Sequence, residues 1–229
     1  DRSVSRGLGD VYKRQLLDRE EQIVVSKNFQ IERDGSWNHY EGTFTVDTTA
    51  NDLRFALLLP HKGKVYIDFV SMFPENTFCG HKNGLREDVA GMLRDLRPDF
   101  VRWPGGCIVE GLTMDNRIKW KETIGDIVKR PGEYNLWGYR STYGFGYHEF
   151  LQFCEDIDAD GMFVCNAGMS CLFRNGDYWE EENRIDNLIQ DALDAVEYAL
   201  GDTTTVYGKR RAENGHAAPF PLKLSLIHI

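Results

Sequence analysis

The chain has 229 residues, 41% hydrophobic and 28% charged, with a formal net charge of −9; this is the make-up of an ordinary globular protein with room for one large domain or two small ones. The acidic balance argues against a nucleic-acid partner, which demands a basic stripe to neutralise phosphates, and no apolar run reaches the roughly 18 residues of a membrane-spanning helix. Five cysteines (Cys79, Cys107, Cys154, Cys165, Cys171) are odd in number and lack Cys-x-x-Cys spacing, so neither a zinc site nor a disulfide framework is indicated and five small buried hydrophobes are expected. The histidines show no ligand spacing either, and no metal or cofactor is expected.

The two ends share one DNA word. Leu224-Ser225-Leu226-Ile227-His228-Ile229 can be encoded CTG TCT CTT ATA CAC ATC, and the reverse complement of that word translates as Asp10-Val11-Tyr12-Lys13-Arg14-Gln15. It looks like the transposon end used in sequencing-library adapters. Residues 1–15 and 224–229 are therefore read as adapter and flank, leaving a natural segment of about 16–223 from a metagenomic fragment. A secretory signal would lie upstream, so the compartment is not readable.

Within residues 16–72 the runs Tyr40–Val46, Leu53–Leu59 and Lys64–Val70 predict three successive strands; in the last, Val65, Ile67 and Phe69 share a face by the period of two. Turns are expected at Asp47-Thr48-Thr49 and at Pro60-His61-Lys62-Gly63. Strands without intervening helices imply an antiparallel sheet, the end of a β-sandwich.

From residue 73 the pattern changes. Leu85, Val89, Met92, Leu93 and Leu96 recur at helical spacing before Pro98, and Asp99–Trp103 predicts a short strand. A second helix carries Phe150, Leu151, Cys154 and Ile157, and the run Met162–Cys165 follows as a strand. A third helix places Ile185, Leu188, Ile189, Ala192, Val196 and Ala199 on one face and stops at Gly201; a further strand begins at Leu222. Alternating helices and short buried strands predict a parallel sheet with helical crossovers. No Gly-x-Gly-x-x-Gly follows a strand, so a (β/α)8 TIM barrel is favoured over a dinucleotide-binding sheet. Such a barrel needs about 250 residues, so 73–223 is read as its first part.

Barrel chemistry gathers where strands end. Arg102-Trp103-Pro104-Gly105-Gly106-Cys107 holds that position after Phe100-Val101: two glycines admit close backbone approach, and Arg102 offers fixed donors to hydroxyl or carboxylate oxygens. A Pro-Gly turn with Arg102 in a structural ion pair stands on equal terms with that reading. The loop from Pro104 to Phe145 is long enough to be functional and carries Trp120, Tyr134, Trp137, Tyr139, Tyr143 and Phe145, whose faces suit sugar C–H groups, although each ring singly is as well explained by folding the loop onto the barrel. Asn166, ending the next strand, could bond sugar hydroxyls or cap its own loop.

At this point the residues resemble a known family. Asn83-Gly84-Leu85-Arg86-Glu87-Asp88, the stretch Leu96–Gly111, Trp120-Lys121-Glu122-Thr123-Ile124-Gly125 with Arg130-Pro131, Gly146-Tyr147-His148-Glu149-Phe150, and Tyr207–His216 are similar to the family 51 α-L-arabinofuranosidases. The resemblance implies a retaining glycoside hydrolase on a (β/α)8 barrel, releasing terminal arabinofuranose from arabinan or arabinoxylan in hemicellulose degradation. It implies that Arg102, Gly105, Gly106 and Cys107 line the arabinose subsite, that Trp120 walls it and that Asn166 lies nearby. It also implies that residues 16–72 end a jelly-roll module, and that the acid/base glutamate, in a Gly-Asn-Glu motif, and the later nucleophile both lie beyond Lys223, so that no catalytic residue is expected in this chain.

Two other readings stay open: a non-catalytic carbohydrate-binding protein, and another retaining barrel glycosidase acting on xylosides or glucosides. The oligomeric state is open too. If the adapter reading holds, overlapping DNA reads should continue past codon 223 into an apolar strand ending in Asn-Glu; a stop codon there, or a strand without that glutamate, would sink the enzyme assignment.

Overall fold

The computed structural model describes residues 11–32, 35–47, 49–59 and 64–228, which divide into two compact units, 1–68 and 69–229. The turn expected at 60–63, Thr48 of the other expected turn, most of the leading flank and Ile229 lie outside the described residues.

The first unit is a three-stranded antiparallel sheet of β1 (Val11–Leu17), β2 (Ile23–Gln30) and β3 (Arg54–Leu58), with β1 in the centre. A tight turn joins β1 to β2: Gln22 N donates to Asp18 Oδ1 at 2.8 Å and Asp18 N to Gln22 O at 3.0 Å. Leu16 is buried, the Arg14 guanidinium lies 5.1 Å from the Phe29 ring centre, and Phe29 packs on Tyr12 and Tyr40. β3 matches the expected Leu53–Leu59 strand, but Tyr40–Val46 and Lys64–Val70 are not strands. Tyr66, Ile67 and Val70 are exposed, and Phe69 has φ +46°, which breaks extended backbone. Alternation alone does not supply the neighbouring strand that a ladder requires. The sheet is completed instead by β1, which spans residues read as flank; ladder bonds join backbone groups and accept almost any side chain that suits a pleat.

The second unit runs α1 (Glu87–Asp95), β4 (Phe100–Trp103), α2 (Cys107–Glu110), the short hairpin β5 (Glu133–Tyr134) and β6 (Arg140–Ser141), α3 (Tyr147–Asp156), β7 (Asp160–Asn166), α4 (Glu182–Leu200), α5 (Val206–Glu213) and β8 (Leu222–His228). β4, β7 and β8 form a parallel sheet in that order, with Phe100 opposite Asp160 and Gly161 opposite Leu222. The unit is α/β with parallel strands joined through helices, as the sequence pattern predicts. β8 pairs through His228, past the expected adapter boundary, again by backbone groups alone.

One face of the sheet is the core. Trp103, Phe163 and Leu222 pack with Tyr147, Phe150, Leu151 and Cys154 of α3 and with Ala195, Tyr198 and Ala199 of α4. On the other face of β4, Phe100 and Arg102 are exposed. The predicted face of α3 is buried as expected. That of α4 is rotated: Ile189 and Val196 are exposed, and Asp194 and Tyr198 take the seam, because both find polar partners there. The stripe on α1 is covered only at Ala90 and Leu85, leaving Val89, Met92, Leu93 and Leu96 exposed. Periodicity identifies an apolar face without naming what covers it.

Helix α5 lacks a strong apolar stripe and escapes the pattern. Its start is set by Thr205, whose Oγ1 accepts from Gly208 N, and its seat by Arg211. That side chain is fully buried and donates to the carbonyls of Tyr198, Gly201, His216 and Ala217 at 2.7–3.2 Å. Bonds from a charged donor contribute about 1.5–3 kcal/mol each and offset the cost of burying the charge. Across the core, Gly146 brings α3 against the 3₁₀ turn Trp120–Thr123; a Cβ there would sit 1.9 Å from Thr123 O.

Tyr198 Oη accepts from Asn214 Nδ2 at 2.8 Å and lies 2.7 Å from His148 Nδ1; a phenol proton given to that nitrogen needs a neutral imidazole. Burial pushes the His148 pKa down from 6.5 to about 4. The unfolded chain then binds this proton more readily than the folded one. The stabilising contribution is full above pH 6.5 and is lost as pH falls toward about 4, a loss of about 3 kcal/mol. Urea unfolding measured across this window should show the loss, and His148→Gln should flatten it; parallel profiles for the two proteins would refute the assignment.

Candidate functional site

The segments carrying the candidate residues meet at the carboxyl ends of β4 and β7. After Trp103 the chain passes a cis Trp103–Pro104 bond and Gly105, whose φ of +122° only glycine adopts freely, then enters the single turn of α2. Asn166 ends β7 and locks the two segments together: its Nδ2 donates to Val109 O and Met169 O, both at 3.0 Å, and its Oδ1 accepts from Gly168 N at 2.6 Å. Cys171 N adds a bond to Gly111 O at 3.0 Å. Each Asn166 bond satisfies a backbone group, which is the loop-capping role left open by the sequence.

Arg102 stands on the exposed face of β4, and among the described residues no hydrogen bond or ion pair holds its guanidinium. The ion pair considered from sequence is therefore absent among those residues. Trp120 is placed differently. Its ring is 5% exposed and packs on Tyr147, Tyr198 and Tyr207, and its Nε1 donates to Asp191 O at 2.9 Å. Trp120 and Asn166 share a cleft with Trp103, Pro104 and Ile118 whose free volume is about 30 Å³, about one water's share of the liquid and too small for a sugar. The structure thus brings Gly105, Gly106, Cys107 and Asn166 together, leaves Arg102 open on the sheet, and sets Trp120 beneath them in the core. Of the six rings expected from sequence, Tyr134, Trp137, Tyr139 and Phe145 are exposed, and Trp137 and Tyr139 stack at 6.5 Å, whereas Trp120 and Tyr143 are buried.

Ion pairs hold the long loop in place. Arg130 grips Glu149 through two nitrogens at 2.7 and 3.0 Å and also donates to Gly125 O and Tyr143 O, while Glu149 Oε2 accepts from Gly146 N at the start of α3. Lys121 binds Asp191 and Asp194 of α4. Burial alone would lower the Lys121 pKa, but the two carboxylates outweigh it and hold the amine well above its usual range.

Sequence reasoning missed one cluster. Cys107, Glu110 and Cys171 bring their sulfur and carboxylate atoms within 4.8 Å of one another. Cys107 and Glu110 are three apart on α2 and share its face, a signal legible in the sequence; Cys171 lies 64 positions further on (171 − 107), where spacing carries no information.

A parallel β/α unit with its loops gathered at the carboxyl ends of the strands belongs to the architectural class that places binding and catalysis at that end. Residues 92–228 match the family model described as the alpha-L-arabinofuranosidase 1 domain. The chain is 37% identical over 204 residues to an extracellular exo-alpha-L-arabinofuranosidase of Streptomyces chartreusis, covering 84% of this chain and 24% of that protein. It is 38% identical over 189 residues to alpha-L-arabinofuranosidase 2 of Arabidopsis thaliana, covering 82% and 27%. The solved structure of arabinose-bound MgGH51 α-L-arabinofuranosidase aligns over 95% of this chain and 35% of its own, at 27% identity and a TM-score of 0.73. The chain belongs to the α-L-arabinofuranosidase family. It spans about a quarter of the length of these curated relatives.

Asn166→Ala removes three hydrogen bonds, one joining the end of β7 to α2 at Val109 O and two fixing the loop after β7 at Gly168 N and Met169 O. We expect a loss of about 2–3 kcal/mol in chemical unfolding and faster proteolysis between residues 104 and 119. An unchanged cleavage rate would show that the segment is held by other contacts.

Proposed function

We propose that the whole protein is a retaining α-L-arabinofuranosidase acting on arabinofuranose-bearing polysaccharide or oligosaccharide such as arabinan and arabinoxylan. Residues 73–223 then form the first part of a (β/α)8 barrel, residues 16–72 the end of a jelly-roll module, and residues 1–15 and 224–229 the flanks read as adapter. The observation that carries the site is Arg102: a guanidinium unpaired among the described residues, on an exposed strand face, shortly before Gly105 and Gly106. It suits the hydroxyl oxygens of a neutral sugar, with the glycines admitting the ring close to backbone. Cys107 borders the subsite. Asn166 positions the loop that forms it, Trp120 supports it from the core, and the Trp137–Tyr139 pair offers a stacking face.

Retention needs two carboxyl groups about 5–5.5 Å apart, one protonating the leaving oxygen and one attacking the sugar. Several described carboxylates near these segments are held in other contacts: Glu149 with Arg130, Asp191 and Asp194 with Lys121, and Asp177 with Met114 N. That favours a catalytic pair supplied from outside this chain, and the chain alone should not turn over an aryl α-L-arabinofuranoside. Incubation beside the complete enzyme tests this; turnover above a heat-killed control would place the pair inside the chain. In the complete enzyme, Arg102→Ala should lower kcat/KM roughly 100-fold through loss of a charge-assisted bond worth about 3 kcal/mol, and an unchanged kcat/KM would remove Arg102 from the site.

A further inference from the structure

We infer that Cys107, Glu110 and Cys171 form a binding site for a soft divalent cation such as zinc. Their donor atoms lie within 4.8 Å of one another. In a tetrahedral zinc site, with sulfur at about 2.3 Å and carboxylate oxygen at about 2.0–2.2 Å, the ligands stand roughly 3.5–3.8 Å apart. The cluster therefore needs to contract by at most about 1 Å, within reach of side-chain rotation. Two thiolates and one carboxylate are a donor set that zinc accepts and that hard cations do not.

The backbone behind the donors is already held. Cys107 and Glu110 share a face of α2, closed by Gly111 N donating to Cys107 O at 2.9 Å. Cys171 is held to the same segment by its bond to Gly111 O, and the Asn166 bonds to Val109 O and Met169 O tie the two segments. Glu110 and Cys171 are buried while Cys107 is half-buried, which leaves a fourth coordination position facing the accessible side. This is the three-ligand, one-open pattern of reactive zinc sites rather than closed structural ones. A Cys107–Cys171 disulfide is the competing use of the two sulfurs. It assigns nothing to Glu110, whose carboxylate lies beside Cys171 and, after burial and Cys107, helps push that thiol's pKa up. Cys107 also borders the proposed sugar subsite, so the test reads metal binding directly and does not use turnover.

The test uses the full chain, reduced and stripped of metal. Titration with cobalt(II) should give a thiolate-to-metal charge-transfer band and tetrahedral ligand-field absorption at one equivalent, both bleached by zinc. Cys107→Ser and Cys171→Ser should each weaken binding by about tenfold or more, and Glu110→Gln should weaken it while keeping the charge-transfer band; Cys79→Ser, altering an exposed cysteine elsewhere, should leave it unchanged. Circular dichroism checks the fold of each variant. Zinc should also protect Cys107, the half-buried donor of the three, from maleimide in peptide mass spectrometry, a readout that needs little soluble protein. Absence of the band, a band that survives both serine variants, equal maleimide labelling with and without zinc, or a Cys107–Cys171 disulfide forming in place of metal uptake would each overturn the assignment.

Discussion

The larger unit depends on one buried phenol. Tyr147 is fully buried, touching Trp103 of β4, Phe163 of β7, Phe150 of its own helix, Trp120 of the long loop and Tyr198 of α4. A hydroxyl in that position costs about 1–3 kcal/mol unless it is bonded. Its proton goes to Ala195 O at 3.0 Å, which sets the height of α4 over the sheet. Its backbone N–H goes to Thr123 Oγ1, also at 3.0 Å, and Thr123 in turn donates to Trp120 O. One residue thus ties both helices, two strands and the base of the loop, and the absence of a Cβ at Gly146 lets the loop come close enough.

Seen from that centre, the long loop is part of the core at one end and free at the other. Trp120 and Thr123 are buried with Tyr147, whereas Trp137 and Tyr139 stand out from the surface. Arg130 marks the transition, binding Glu149 below and the carbonyl of Tyr143 above. The acidic side chains nearest the strand ends are consumed in holding this loop and α4, so the open face is left with Arg102 as its unpaired charge among the described residues. A surface of that kind can orient a polar, uncharged ligand. Breaking a glycosidic bond asks for more.

What could be read from sequence follows the range of each interaction. The face of α3, the positions of β4 and β7 and the start of β8 come from local pattern, and all are observed. The strands at 40–46 and 64–70 are not observed because a ladder needs a neighbour, and no alternation encodes one. For α4 the seam was misread at Ile189 and Val196, since Tyr198 and Asp194 are polar by composition and buried by virtue of distant partners, His148, Asn214 and Lys121. At the candidate site, Gly105 and Gly106 follow a strand where sequence places them, whereas Arg102 lies within β4 itself rather than after it. The burial of Trp120 and the meeting of Cys107 with Cys171 depend on how α2 packs against the end of β7, which no local pattern records.

Arg211 carries a consequence for how this sequence can drift. All four of its acceptors are main-chain carbonyls, and a carbonyl is supplied by any amino acid. The residues that hold Arg211 can therefore change identity without loosening it; His216 and Ala217 are free in this respect, whereas position 211 is not. Lysine has the charge but not the planar fork that reaches several carbonyls at once. Tyr198 and Gly201 are constrained by their own packing, so the freedom falls chiefly on Ala217: a saturation scan should find position 211 intolerant and position 217 permissive, a dependence that covariation between side chains would fail to detect.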